Sequence, residues 1–488
     1  MSSIEMPEPD ARVLGNRDAI LKALAEALPA DGLITDPHQT LAYECDALTA
    51  YRCPPLAVIL PATTEEVSQA LKICHQLGVK VVPRGAGTSL AGGSLATADS
   101  VIIGTSRLRD TIEVNYPDRY IRVQTGVTNL SVTQSVENDG FFYAPDPSSQ
   151  LACAIAGNIA MNSGGAHCLK YGVTTNNLLG VTLVLADGEV VELGGAHMDA
   201  PGLDMLALIC GSEGQLGIVT EATLRILPKP EGARPVLIGF DDAETAGECV
   251  AQIIKSGVLP VAIEYMDRLC IQVVEDFTAV GYPLCEALLI VEVEGSEAEI
   301  AVQIERIEKI ALALDPREFR VSQSLEQSEL IWKGRKSAFG AMGRLNDYLC
   351  LDGTVPVSAL PLTLRRIGEL AQEHQMEVAN VFHAGDGNMH PLILYNANLE
   401  GDFERAEQLG AAILKLCVEV GGCLTGEHGV GIEKRDLMYE QFSPDDLEAM
   451  MQVKDVFDPD WMLNPAKVFP LNASAARRSL IATQGAAK

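Results

Sequence analysis

Positive charge is scarce in this chain: 36 lysines and arginines stand against 66 aspartates and glutamates, a formal charge of -30 over 488 residues. No long basic run is present. Without a basic stripe nothing can neutralise a phosphate backbone, which excludes nucleic acid as a partner. Cysteine pairing is missing too. The twelve cysteines run from Cys45 to Cys423 with no C-x-x-C among them, which excludes a zinc ribbon and an iron–sulfur run. Most sit in apolar stretches such as ALKICHQL around Cys74, as small core residues do, and unpaired use fits a reducing compartment. The start, MSSIEMPEPD, has neither the basic residues nor the apolar stretch of a secretory signal. Every apolar run is broken by glycine or charge short of a membrane span. A cytoplasmic protein is expected. Two familiar phosphate loops are also absent: no G-x-G-x-x-G follows the first strand, and no glycine-rich loop ends in Gly-Lys-Ser/Thr.

The length predicts more than one domain. Residues 15–50 read as a helical lead-in. A strand at Leu56–Leu60 leads to a helix with Thr64 as N-cap and Val67, Ala70, Leu71, Cys74 and Leu77 at helical spacing; Gly78 ends it before a buried strand at Val79–Val82. From Val101 to Leu227 short β-branched runs alternate with turns, Asp187-Gly188 marking a hairpin. PKPEGARP, at 228–235, reads as a linker. Beyond it strands and helices alternate, as in a sheet with helices on one side. The helix at 402–420 presents Phe403, Ala406, Leu409, Ile413, Leu416 and Val420 on one face. The Ala- and Ser-rich tail from Leu471 is expected to fray.

Three glycine-rich segments carry a possible ligand. The first is Pro83-Arg84-Gly85-Ala86-Gly87-Thr88-Ser89, running on to Gly92-Gly93. Amides without Cβ obstruction can form a nest for phosphate oxygens; the plain alternative is a mobile loop. The second runs from Pro145 and Ser148 through Gly157-Asn158 and Ser163-Gly164-Gly165 to Tyr171-Gly172, with enough small residues to lie against a flat ligand or to pack backbone on backbone. The third is Glu213-Gly214-Gln215-Leu216-Gly217-Ile218. Further on, His383-Ala384-Gly385-Asp386-Gly387-Asn388-Met389-His390 and Gly426-Glu427-His428-Gly429 concentrate three of the eight histidines in two loops. Two imidazoles and a carboxylate form an ordinary divalent-metal site with open positions, for Zn, Mn or Fe alike. The alternative is histidines bonded to backbone.

In order, spacing and wording the three segments resemble the FAD-binding domain of the vanillyl-alcohol oxidase / p-cresol methylhydroxylase superfamily, and the later part resembles the FAD-linked oxidase C-terminal domain. YECDALTAYRCPP, HCLKYG, WKGRKSAFGAMGR and VFHAGDGNMHPLILY are similar to the family of FAD-binding D subunits of bacterial glycolate dehydrogenase (glycolate oxidase). The resemblance implies an α+β fold: a two-subdomain FAD-binding domain of the p-cresol methylhydroxylase type (51–232, after the lead-in 1–50), an α/β ferredoxin-like cap or substrate domain carrying the metal motif (233–420), and a C-terminal segment returning to the flavin (421–470), followed by a disordered tail (471–488). It assigns noncovalent FAD to Arg84, Gly85, Ala86, Gly87, Thr88, Ser89, Pro145, Ser148, Gly157, Asn158, Ser163, Gly164, Tyr171, Gly172, Glu213, Gly217 and Ile218, with Asn464 near the flavin ring. Ala466 stands where the family has glycine. It makes His383, His390 and Glu427 the metal ligands and His428 the base.

The chemistry so implied is oxidation of a small 2-hydroxy acid, glycolate or D-lactate, to the 2-oxo acid. A divalent cation assists alkoxide formation, His428 takes the hydroxyl proton, and hydride passes to flavin N5. Arg335 is chosen to hold the substrate carboxylate bidentately, an exposed helix charge being its plain alternative. The family also implies a second FAD-type subunit and an iron–sulfur subunit, with membrane contact only through that complex. Related D-lactate and D-2-hydroxyglutarate enzymes place a polar residue soon after the second histidine. This chain has Pro391 and Leu392 there, which favours a smaller, less polar substrate. The alternatives are a standalone D-lactate or D-2-hydroxyglutarate dehydrogenase and, in another class, a non-catalytic assembly subunit.

Overall fold

The structure is a computed structural model that describes residues 4–197 and 202–485. It divides into two compact units. One comprises Gly164–Gly172 and Lys229–Glu427; the other comprises Ile4–Ser163, Val173–Pro228 and His428 onward.

In the second of these, the strands Leu33–Ile34, Ala57–Ile59, Ser100–Gly104 and Lys80–Arg84 form one sheet in that spatial order. The last three run parallel. Parallel strands are covered on both faces and so read as unbroken apolar runs. Here Ala57, Ile59, Val81 and Val101 pack into one core, while Val58, Val82 and Ile102 pack into another. The strands before and after the helix Thr64–Leu77 are not neighbours, because Ser100–Gly104 lies between them. The helix buries Val67, Ala70, Leu71 and Cys74 and ends on Gly78 at φ 63°. Its N-cap is Thr63, not Thr64: Thr63 has the extended backbone of a cap, and its side chain accepts from Glu66 N. A second, antiparallel sheet orders Thr111–Asn115, Tyr120–Gln124, Ile218–Arg225, Leu178–Val184 and Val190–Gly194. Gly188 turns the expected hairpin at φ 84°.

The other unit is built on a mixed-length sheet of the strands Glu318–Val321, Gly232–Phe240, Ala287–Gly295, Ala262–Asp267, Glu377–His383, Asn388–Met389 and Gly353–Thr354, with Asp347–Cys350 and Pro391–Tyr395 joined at its side. Ala287 through Val293 is buried residue after residue, so that strand is covered on both faces rather than on one. The stretch read as a linker becomes strand from Gly232, because Gly232–Pro235 continue the ladder against Glu292–Gly295. The helix Asp402–Glu419 buries Ala406, Leu409, Ile413 and Leu416 as its spacing predicts. The tail expected to fray is a helix, Leu471–Gly485. Its first turns are tied down: Arg477 pairs with Asp455 and with Glu448 at 2.6 Å. Its last three residues lie outside the described chain.

Candidate active site

The motif H-x-G-D-G-N-x-H is a tight hairpin. His383 ends the strand Glu377–His383 and pairs across the turn with Asn388. Asp386 accepts from Asn388 N at 3.1 Å, closing an Asx turn. Gly387 sits at φ 76°, and a Cβ there would lie 2.0 Å from the Val355 carbonyl oxygen; only glycine fits. The hairpin brings the second imidazole back beside the first, with ring centroids 5.2 Å apart and planes at 87°.

Each imidazole is anchored by one nitrogen and offers the other. His383 Nδ1 lies 2.8 Å from Glu264 Oε1, and His390 Nδ1 lies 3.0 Å from the Leu351 carbonyl oxygen. Both partners are acceptors, which sets the Nδ1–H tautomer and leaves Nε2 with its lone pair. The two Nε2 atoms converge on Glu427 Oε1, at 3.5 Å from His383 and 3.1 Å from His390. All the donor atoms lie within 4.8 Å of one another. Glu427 is positioned by Asp352, which is fully buried and accepts from Thr425 Oγ1 and from the Gly426 and Glu427 amides. Two lone pairs and a carboxylate aimed at one point repel unless a proton or a cation sits among them. Without an ion, protons take that place. Burial works against the charged imidazoles, but the carboxylates overcome it. Glu264 and Glu427 hold His383 well above its ordinary value, while hydrogen bonds with Cys350 and Glu427 push His390 up to about 10. Against its own burial, Glu427 is held well below the usual carboxylate range by the same two histidines. Asn388 Oδ1 is buried with no hydrogen-bond partner, and a Cβ on Gly426 would meet Asn388 Cγ at 2.5 Å. The donor set and this unused oxygen fit a divalent cation.

Arg335 lies on the helix Leu325–Leu345 and is 4% exposed, so it is not a solvated helix charge. Its Nε donates to Glu264 Oε2 at 2.7 Å, and its Nη2 lies 2.6 Å from the same oxygen. Tyr171, assigned to the cofactor from the sequence, donates its hydroxyl to Glu294. Its neighbour Lys170 pairs with Glu294 at 2.7 Å. Gly164 and Gly172 bound the same nonapeptide.

In the other unit the glycine-rich segments come together. The Arg84–Ser89 loop follows the strand Lys80–Arg84. Gly85 packs on the helix Ile155–Met161, where its Cβ would stand 3.2 Å from Gly157 N. Gly87 at φ 76° lies against the Arg84 guanidinium. Arg84 itself donates to the Cys45 carbonyl at 2.9 Å and stacks over Tyr43. Ser89 Oγ accepts from Gly93 N at 3.1 Å, curling the loop. Ala86 and Thr88 complete that turn. Pro145 is buried and Ser148 exposed. Asn158 is committed to Asn129 and Cys153, a packing role. Ser163 N bonds to the Asn158 carbonyl. Glu213, buried at φ 52°, accepts from Val430 N at 2.6 Å and Gly431 N at 2.8 Å. Burial raises its acid, and those two amides counter the rise. Gly217 and Ile218 open the strand Ile218–Arg225. Asn464 Nδ2 donates to the Gly93 and Glu213 carbonyls at 3.0 and 2.6 Å, while its Oδ1 is buried without a partner. Four segments distant in sequence thus meet as a cradle of bare backbone, which fits a dinucleotide. His428 begins the part of the chain that rejoins this unit and is the residue next after Glu427.

Glu264 and Asp352 were not singled out in the sequence. A signal was there for the first: Glu264 stands alone among apolar residues in VAIEYM, where a charge needs a partner.

Residues 229–468 match the family described as FAD linked oxidases, C-terminal domain, and residues 55–194 match the FAD binding domain family. The glycolate oxidase subunit GlcD of Escherichia coli strain K12 is 48% identical, covering 93% of this chain and 92% of the relative. The D-lactate dehydrogenase of Archaeoglobus fulgidus is 32% identical over 84% of this chain and 90% of its own. The crystal structure of p-cresol methylhydroxylase with substrate bound aligns with a TM-score of 0.81 at 15% identity, covering 95% of this chain and 99% of the other. The fold is therefore the mixed α and β fold of the p-cresol methylhydroxylase type.

Proposed function

The chain belongs to the FAD-linked oxidases, and we propose that it is an FAD-dependent dehydrogenase that oxidises a small 2-hydroxy acid, glycolate or D-lactate, to the 2-oxo acid. The observation that carries this reading is the convergence of His383 Nε2, His390 Nε2 and Glu427 Oε1 on one point, each set by a buried anchor. When bound, FAD supplies a two-electron acceptor for the substrate's Cα hydrogen, and a divalent cation (Zn, Mn or Fe) supplies the charge that makes the adjacent hydroxyl acidic. His383, His390 and Glu427 would hold the cation. Arg84 to Ser89, Glu213 and Asn464 would hold the FAD without a covalent bond.

The remaining work falls to this chain's own side chains. His428 takes the hydroxyl proton, and its place one residue after Glu427 keeps base and ligand on a single turn of chain. Arg335 presents a guanidinium whose Nε edge is spent on Glu264, which leaves its outer donors for the substrate carboxylate. Pro391 and Leu392 are buried and apolar, which suits a substrate without a second polar arm. All twelve cysteines are unpaired and no C-x-x-C joins any of them, so in this reading the electrons leave through another protein. In this reading the partners are a second FAD-type subunit and an iron–sulfur subunit. No described helix is long and apolar enough to cross a membrane, so membrane contact would come through that assembly.

The test is anaerobic mixing of the yellow holoprotein with glycolate, D-lactate and D-2-hydroxyglutarate. Bleaching by glycolate or D-lactate is expected; no bleaching by any of the three removes the proposal. His428→Ala should keep its flavin and lose bleaching, and an unchanged rate refutes the residue's role as base.

A further inference from the structure

We propose that Glu264 is a positioning residue shared by the two halves of substrate binding: one carboxylate fixes His383 as a metal ligand and Arg335 as the grip on the substrate carboxylate. The inference rests on the metal-assisted reading above and adds a dependence that reading does not contain.

Glu264 is fully buried in the strand Ala262–Asp267 and stands directly opposite His383 on the neighbouring antiparallel strand. Its two oxygens serve different groups. Oε1 takes His383 Nδ1 at 2.8 Å, and Oε2 accepts from Arg335 Nε at 2.7 Å, with Nη2 2.6 Å away as an ion-pair contact and not a hydrogen bond. An ionised carboxylate accepts only. It therefore compels His383 to carry its proton on Nδ1 and to turn a bare Nε2 toward Glu427. The second imidazole needs no such help, because a backbone carbonyl anchors His390 at 3.0 Å. The guanidinium is a rigid planar fork. Holding it at Nε, with the charge pair behind Nη2, fixes where the remaining donors stand. A single strand position thus sets both the nitrogen that takes the cation and the plane that takes the carboxylate.

Two near-isosteric substitutions separate the halves. In Glu264→Gln the amide has one acceptor oxygen. The charged guanidinium claims it, which turns the NH2 toward His383; the imidazole must then accept at Nδ1 and carry its proton on Nε2, where it cannot ligate. Glu264→Leu removes both acceptors. The assay uses FAD-loaded, chelator-stripped protein. Zn2+ affinity is read by competition with a chromophoric chelator, and glycolate dependence is read from anaerobic bleaching at saturating Zn2+. Glu264→Gln is expected to keep its FAD and to lose Zn2+ affinity by about 10–100-fold. Glu264→Leu should lose Zn2+ affinity as well and should also need about tenfold more glycolate for half-maximal bleaching. A Gln variant that binds Zn2+ as tightly as the parent overturns the proposal, as does a Leu variant with unchanged glycolate dependence. A parent protein that binds no Zn2+ instead removes the metal-assisted reading itself. If neither variant folds, 15N-histidine spectra of the unaltered Zn2+-loaded protein decide: a proton on His383 Nδ1 with a bare Nε2 supports the assignment, and a proton on Nε2 with a bare Nδ1 overturns it.

Discussion

At the scale of single residues, the proposed metal site is held less by its candidate ligands than by what stands behind them. Asp352 receives three donors from the turn that presents Glu427. Asp352→Asn exchanges one acceptor oxygen for a donor facing those amides and should cost about 1–3 kcal/mol of stability. Denaturant unfolding measures the loss, and Zn2+ affinity should fall with it. Gly387→Ala is expected to be worse than its size suggests. Its Cβ would meet backbone, not a movable side chain, and the left-handed φ adds about 1–2 kcal/mol. A variant with unchanged unfolding midpoint and Zn2+ affinity would show that the hairpin tolerates a different turn. The hairpin was legible in the sequence because glycines and histidines at fixed offsets announce a turn that brings two imidazoles together. Their anchors were not. Glu264 and Asp352 are lone carboxylates whose partners lie 119 and 74 residues away in sequence, and no local pattern connects such pairs.

At the scale of elements, Asp267 links two of them. Its side chain caps the helix Arg268–Thr278 through Cys270 N and also accepts from the backbone and side-chain amides of Asn380 on the strand Glu377–His383. Burial pushes its acid up to about 6, against the pull of those hydrogen bonds. A raised acid binds its proton more tightly folded than unfolded. The stability it contributes is therefore present below about pH 4 and is lost as the pH rises through 6. Asp267→Asn should flatten the fall in melting temperature between pH 4 and 6, while lowering stability at pH 4 by roughly 1 kcal/mol through the weaker cap. Melting curves across that range check both parts. Element boundaries were readable where periodicity was long, as in Asp402–Glu419, and misread where local chemistry was ambiguous. Adjacent Thr63 and Thr64 both qualify as caps. Pro228, Pro230 and Pro235 suggest a linker, yet Gly232–Pro235 run past the pairing with Glu318–Val321, which begins at Val236, and so join a ladder on one side only. The tail gains its helix from Asp455 and Glu448, which no inspection of its own residues would reveal.

At the scale of the molecule, each of the two units buries apolar residues of its own, Ile59 and Leu71 in one and Leu289 and Val381 in the other, and each carries one of the proposed ligand sets. Ligands that bind only the folded state stabilise by mass action, about 2.7 kcal/mol at a hundredfold excess over Kd. Calorimetry should accordingly show a chelator lowering one transition and FAD removal lowering another. A single transition shifted equally by both treatments would contradict separate ligand sets. The composition had already set the limits of this scale: an acidic surface, unpaired thiols and no spanning helix among the described residues.

The unit with the glycine-rich cradle is made of distant lengths of chain. Val81 N bonds to the Met462 carbonyl and Asn464 N to the Val81 carbonyl, so the strand that launches the Arg84 loop has its last neighbour almost four hundred residues later. On the ribosome this has an order built in. The segment from Lys229 to Glu427 emerges whole and can collapse by itself, while the earlier strands wait with one edge open. On the proposed reading, cofactor capture in the cell would be deferred to the end of synthesis, and a nascent chain stalled before residue 460 would have the whole proposed cation-ligand hairpin and an unfinished nucleotide cradle.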